Sequence, residues 1–292
     1  MREMIRAIPA LAAASEKWVP PFFDRTAALS RLRTSIARRE SLLISGPAGI
    51  GKTALMAKLC SELPIDVARA TIFLSGVEGL RPFLHSLLRK LYDAGDATLH
   101  RQLRREGFRE GELQSWLKSL SASRLRGALY RSMENGQYWI VHDHVPPLTR
   151  RVADVAKELV RMHSTPVLLL ARGLGHAHVG HVADLYWADE HRLSLGPLPK
   201  PAAGALLESC IRRFALERFE LQEFRNEVLR LSGLVPGSLI KMCALAAQPR
   251  YQYGSQIKTK LIHIDSLVSA YKPKGASQDF RECLRWPVKT RR

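Results

Sequence analysis

The stretch "SLLISGPAGIGKTAL", residues 41–55, decides how the rest of the chain is read. Leu42 to Ser45 make a short apolar run of the kind that forms a buried strand, and Thr53 to Leu63 carry apolar residues at helical spacing. Between them Gly46, Gly51, Lys52 and Thr53 fill the spacing G-x-x-x-x-G-K-[ST]. Strand, glycine-rich turn and helix start aim backbone N–H groups at one point, an arrangement suited to the β and γ phosphates of a nucleotide. Lys52 offers a countercharge, and the Thr53 hydroxyl offers a hard oxygen for Mg2+. The expected cradle is Gly46, Pro47, Ala48, Gly49, Ile50, Gly51, Lys52, Thr53 and Ala54. The bland alternative is a glycine-rich turn that holds nothing.

A phosphate cradle of this kind needs a second acid for the metal, delivered by another buried parallel strand. "YWIVHDHV", residues 138–145, fits: a continuous apolar run brings Asp143 to the carboxyl edge of a sheet, where open α/β folds bind ligands. A strand-ending aspartate in a turn before Pro146 and Pro147 is the competing reading. With 292 residues, 46% of them hydrophobic, the chain has enough apolar surface for a full core. Arg, Lys, His or Pro interrupts every apolar run before the ~20 residues of a membrane span. The opening "MREMIRAIPALAAAS" imitates an export signal, but Glu3 and Pro9 break the pattern. Cys60, Cys210, Cys243 and Cys283 are scattered without a C-x-x-C pair, which suits a reducing, cytoplasmic setting. A formal net charge of +18 attracts polyanions, DNA foremost; a chain that uses arginine freely on solvated helix faces has the same composition.

Taken together, the motifs resemble the AAA+ and STAND branch of P-loop ATPases, especially stand-alone bacterial members akin to secretion and transposition helpers and to origin-recognition ATPases. Across about residues 19–270, "WVPPFFDRTAALSRL" (18–32) is similar to the family's opening segment beside the adenine. Phe23 and Arg25 match there, and Asp24 replaces a glycine. "ISGPAGIGKTAL" matches Walker A, and "YWIVHDH" takes the Walker B place. "PVLLLARG" (166–173) resembles the strand that ends in the sensor 1 residue, here Arg172. "LSGLVPGSLIKMCALAA" (231–247) resembles the lid's G-G-x-P segment, keeping Pro236 and replacing the second glycine with Leu234.

The resemblance implies an α/β three-layer P-loop sandwich on a mostly parallel five-stranded sheet, followed by a small α-helical lid. It implies ATP and Mg2+ as cofactors, with Thr53 and Asp143 on the metal, and it implies a nucleotide-dependent switch. The expected layout is an N-terminal tail (1–18), an ATPase domain (19–197), a helical lid (198–270) with "PLPKP" (197–201) as hinge, and a basic tail (271–292). Where the family commonly places a glutamate that polarises water, this chain has His144, so hydrolysis is expected to be slow. Lys52, Asp143, His144 and Arg172 are the expected catalytic set. Glu78 is a weaker substitute acid, Arg192 a candidate cation for a neighbouring copy, and Lys241 a candidate near sensor 2. His176, His178 and His181 with Asp184 read first as a polar loop and second as metal ligands. The arginines between 81 and 131 read as exposed helices, and the tail's Tyr271, Phe280 and Trp286 among its cations as a contact for nucleic acid or an acidic protein. Two functions therefore compete: a DNA-associated helper that assembles with itself and a protein partner, and a STAND-type signalling switch that does not bind DNA.

Overall fold

The computed structural model describes residues 21–109, 111–162, 165–186 and 188–270. The N-terminal and basic tails fall outside these residues, as does Cys283. By contacts the chain divides into two units, one of residues 1–206 with Val235–Gly237 and one of residues 207–234 with 238–292.

In the first unit, strands β1 (Leu42–Ser45), β2 (Thr71–Ser75), β3 (Trp139–Asp143), β4 (Val167–Ala171) and β5 (Arg192–Ser194) form one sheet in the order β2-β3-β4-β1-β5. Every pairing in it is parallel. β1, β3 and β4 are buried along their whole length, as strands covered on both faces must be. Side-chain alternation then sorts them. Leu42, Ile44, Trp139, Val141, Leu168 and Leu170 pack with Leu29 and Leu32 of helix α1 (Thr26–Ala37) and with Leu55, Met56 and Leu59 of α2 (Lys52–Glu62). Leu43, Ile72, Leu74, Ile140 and Leu169 face the opposite layer.

That opposite layer is broad. After the short α3 (Ile65–Arg69) and β2, helices α4 (Leu80–Asp93), α5 (Ala97–Arg105), α6 (Leu113–Ser119) and α7 (Ala122–Asn135) precede β3, α8 (Arg150–Arg161) follows it, and the short α9 (His176–Val179) follows β4. Their leucines and the fully buried Trp116 make one cluster. The exposed helices expected between 81 and 131 are thus two-faced, leucines inside and most arginines outside, with Arg126 half-buried. Asp96 pins this layer. Buried itself, it caps α5 by accepting from the Leu99 N–H at 2.7 Å and accepts from the Tyr138 hydroxyl at 3.0 Å. Asp96→Ala is expected to cost about 2 kcal/mol in urea unfolding, from a lost cap plus an orphaned hydroxyl, and Asp96→Asn less.

In the second unit, α11 (Leu221–Leu231), most of α12 (Pro236–Ala246) and α13 (Thr259–Ala270) bury Phe224, Val228, Met242, Cys243 and Ile262. α10 (Lys200–Arg213) begins inside the "PLPKP" stretch, with Lys200 and Pro201 in its first turn. Among the described residues no helix is long and apolar enough to cross a membrane.

Candidate nucleotide site

The site assembles where β1 and β3 end. Ser45 closes β1, and the turn 46–51 runs into α2, whose N-cap is Gly51 at φ +101. That left-handed conformation is strained for any side chain, and it lets the helix begin at Lys52, one residue earlier than the sequence spacing suggests. At Gly46 space adds to a positive φ of 154°: a Cβ there would lie 2.8 Å from the Leu195 carbonyl oxygen. Ile50 buries its side chain fully in the core, so the turn offers only its backbone at that position. Pro47, Ala48, Gly49 and Ala54 are exposed.

Lys52 folds back over the turn, its Nζ donating to the carbonyls of Gly46 at 2.6 Å and Pro47 at 3.1 Å. Partial burial lowers its pKa; Asp143 opposes that shift, and Arg172 adds to it. Thr53, in the first turn of α2, donates from Oγ1 to Asp143 Oδ2 at 2.6 Å. Asp143 shares its strand face with Trp139 and Val141, the face that α2 covers, and this is why a residue at the end of β3 meets the start of that helix.

The two flanking histidines separate by the same alternation. His142 points to the other face, fully buried, its ring 5.8 Å from Phe83; burial drives its pKa down to about 4, so the ring is neutral. Neither of its ring nitrogens has a hydrogen-bond partner among the described residues. His144 leaves the strand at φ +52, its backbone N–H donating to Asp143 Oδ1 at 2.8 Å. Its Nδ1 lies 3.3 Å from Asp143 Oδ2 while the side chain stays 67% exposed. The hydrogen bond to Asp143 raises the His144 pKa against the opposing effect of burial. Burial pushes the Asp143 carboxyl upward, but hydrogen bonds from His144 and Thr53 outweigh it and hold the group below its ordinary value. The carboxylate therefore stays charged at neutral pH.

The remaining expected residues divide. Arg172 directly follows β4, is exposed, and is close enough to act electrostatically on both Lys52 and His144. Arg25 donates to the carbonyls of Gly196 at 2.7 Å and Ile50 at 3.3 Å, which ties the opening segment to the glycine turn. Phe23 is half-buried, and it is the adjacent Phe22 that packs on the core. Pro236 opens α12, and the Gly237 N–H beside it donates to the Gly49 carbonyl at 2.8 Å, within the first unit. Glu78 is exposed, three residues beyond β2. The guanidinium of Arg192 donates to the Tyr186 carbonyl and faces Asp189. Lys241 donates to the Ser266 carbonyl at 3.1 Å, inside the second unit. His176 pairs with Asp184 at 3.3 Å, but no group of three or more ligating side chains among the described residues could hold a metal ion.

Two departures from the family pattern have a common cause. Asp24 and Leu234 stand where the resembled segments carry glycine, and both adopt positive φ, 38° and 58°. The backbone bend is kept without the residue that makes it easy. Asp24 is exposed, so Asp24→Gly is expected to stabilise the chain by about 0.5–1 kcal/mol in thermal or urea unfolding, despite glycine's larger unfolded-state entropy.

No model of a known protein family matches the chain, and neither does any curated protein. Solved structures do. The Walker-type ATPase PABY2304 of Pyrococcus abyssi aligns with TM-score 0.55 at 16% identity, over 85% of this chain and 74% of its own. Cdc6p from Pyrobaculum aerophilum gives 0.56 at 13% identity, over 81% and 64%. The STAND protein PH0952 from Pyrococcus horikoshii, with a tetratricopeptide repeat sensor, gives 0.51 at 17%, over 87% of this chain but only 33% of that one. The chain thus spans between one third and three quarters of the proteins it resembles. Identities this low speak for the fold alone, a parallel α/β sheet flanked by helices that this chain shares with those ATPase structures.

Proposed function

We propose that the chain binds ATP with Mg2+ between the turn Gly46–Thr53 and Asp143, and that it works as a nucleotide-dependent switch with slow intrinsic hydrolysis in a DNA-associated helper or regulator. The observation that carries this reading is the 2.6 Å contact between Thr53 and an ionised Asp143 at the foot of the glycine turn. A hydroxyl and a carboxylate side by side are the hard oxygen donors that Mg2+ takes in company with phosphate oxygens. When bound, the ion neutralises triphosphate charge. Lys52 would exchange the carbonyls of Gly46 and Pro47 for phosphate oxygens, trading neutral acceptors for charged ones. The first N–H groups of α2 have no partners within their own helix and suit the same phosphates. Arg172 supplies a cation for charge that develops in phosphoryl transfer.

Slow turnover rests on His144. It stands where the resembled families commonly place a glutamate that polarises water, and an imidazole serves as a base there only while neutral. Any turnover that uses His144 as base should therefore fall as pH drops through the pKa of that imidazole.

DNA association draws on the net charge of +18 and on the likeness to the Orc1 protein of Aeropyrum pernix, solved in complex with DNA, with TM-score 0.52 at 14% identity over 91% of this chain. Assembly with further copies and with a protein partner belongs to the same proposal. The test is ATP turnover and retention on labelled duplex DNA, with and without ATP, across a salt series. The expected result is slow turnover together with retention that ATP strengthens and that weakens steeply with salt. ATP binding without any DNA retention would favour the signalling switch of STAND type.

A further inference from the structure

α5 has an exposed basic face that the nucleotide site does not use. The helix reads "ATLHRQLRR", residues 97–105. Leu99 and Leu103 are buried in the core cluster, and this fixes which way the rest points. Arg101, Arg104 and Arg105 stand exposed at i, i+3 and i+4, and with Ala97 and His100 they line a surface depression of about 480 Å3. The platform is anchored at its start by the Asp96 cap, and His100 stacks on Tyr92 at 4.2 Å. Residues 97–109 hold four arginines and one acid, Glu106. That glutamate accepts from the Trp116 indole at 2.9 Å and lies 3.4 Å from Arg124, so its charge is already engaged. Among the described residues neither Arg101 nor Arg105 carries an ion pair.

We infer that this face of α5 binds the phosphodiester backbone of double-stranded nucleic acid without reading its sequence. Three guanidiniums within about 6 Å of helix rise match a polymer that carries one charge per ~1.7 Å of axis. The guanidinium fork suits phosphate oxygens better than an ammonium does. An acidic protein segment is the weaker fit: such interfaces draw affinity from apolar anchors, and both leucines of this helix are buried. Helix-dipole stabilisation accounts for Arg104 and Arg105 in the last turn but leaves Arg101 unexplained. The inference deepens the DNA half of the proposed function and does not depend on the nucleotide half.

The test compares the full chain with Arg101→Gln/Arg104→Gln/Arg105→Gln and with a charge-matched control, Arg150→Gln/Arg151→Gln/Arg161→Gln on α8. Binding to a fluorescent mixed-sequence duplex is followed by anisotropy from 50 to 300 mM salt without nucleotide, with a polyglutamate peptide as second probe and thermal melting as the check on folding. The α5 variant should melt like the parent, bind duplex at least ~10-fold more weakly at about 100 mM salt, and reduce the slope of log K against log salt by about 2 to 3. The control should stay near the parent on both measures. Unchanged duplex affinity in the α5 variant, an equal loss in the control, or a larger loss for polyglutamate than for duplex would each overturn the inference. If the triple variant melts lower, Arg101→Gln alone decides, with an expected slope change of about 0.9.

Discussion

Lys52→Ala should remove nucleotide affinity almost entirely, raising the Kd for ATP with Mg2+ by about a hundredfold or more while leaving the fold intact. Its ammonium lies on the turn, held there by the carbonyls of Gly46 and Pro47. Charge-assisted bonds to phosphate contribute about 1.5–3 kcal/mol each, and one such bond at the top of that range already accounts for a hundredfold. Stability should barely move, because the bonds lost are to exposed or half-buried carbonyls that water can satisfy. Titration calorimetry measures the first quantity and melting without ligand the second. A variant that still takes up ATP within a few fold of the parent would remove Lys52 from the site.

His144→Glu should act in the opposite direction and raise turnover by about 10² or more, within the range a positioned general base provides. The imidazole rests on Asp143 through Nδ1, an attraction a carboxylate cannot reproduce. Like-charge repulsion should turn the introduced carboxylate away from Asp143 and toward the open side, where the side chain at this position is already largely exposed. The gain should appear in kcat with little change in nucleotide affinity, because the turn and the metal donors are untouched. An unaltered kcat would mean that the missing base is not what limits hydrolysis.

The parts of this molecule that were legible in the sequence are those where local chemistry leaves few options. A glycine turn between an apolar run and an amphipathic helix has one sensible geometry, and β1 occupies Leu42–Ser45 as the run suggests. Asp143 was legible for the same reason, since a strand buried on both faces can end on a carboxylate only where something meets it, and Thr53 does. What escaped depends on contacts between distant residues. Sequence matching singles out Phe23 and Arg25 equally, but only the fold shows that Arg25 reaches the Ile50 carbonyl, 25 residues away. The arginines between 81 and 131 masked how much leucine and tryptophan lies beneath them, and so hid a four-helix layer in front of β3. Nothing local in the sequence ties Arg192 to Tyr186 and Asp189, which its guanidinium meets in the fold. His142 gave no signal at all, because alternation decides its face and only packing shows that its ring lies buried without a partner.

Positions 24 and 234 mark a different limit. Glycine was the expected residue at both, and the backbone keeps the left-handed turn with Asp24 and Leu234 in place. The conformation is imposed by the surrounding fold and not by the residue that occupies it.

The most direct test of the central claim is equilibrium binding of ATP by the full chain and by Asp143→Asn, each measured with Mg2+ and with a chelator. The account predicts that the parent binds at least ~10-fold more tightly with Mg2+ than without, and that Asp143→Asn loses most of that difference while it keeps metal-independent binding through Lys52. Failure of the parent to take up ATP at millimolar concentration with Mg2+, or an equal response to Mg2+ in parent and variant, would contradict it.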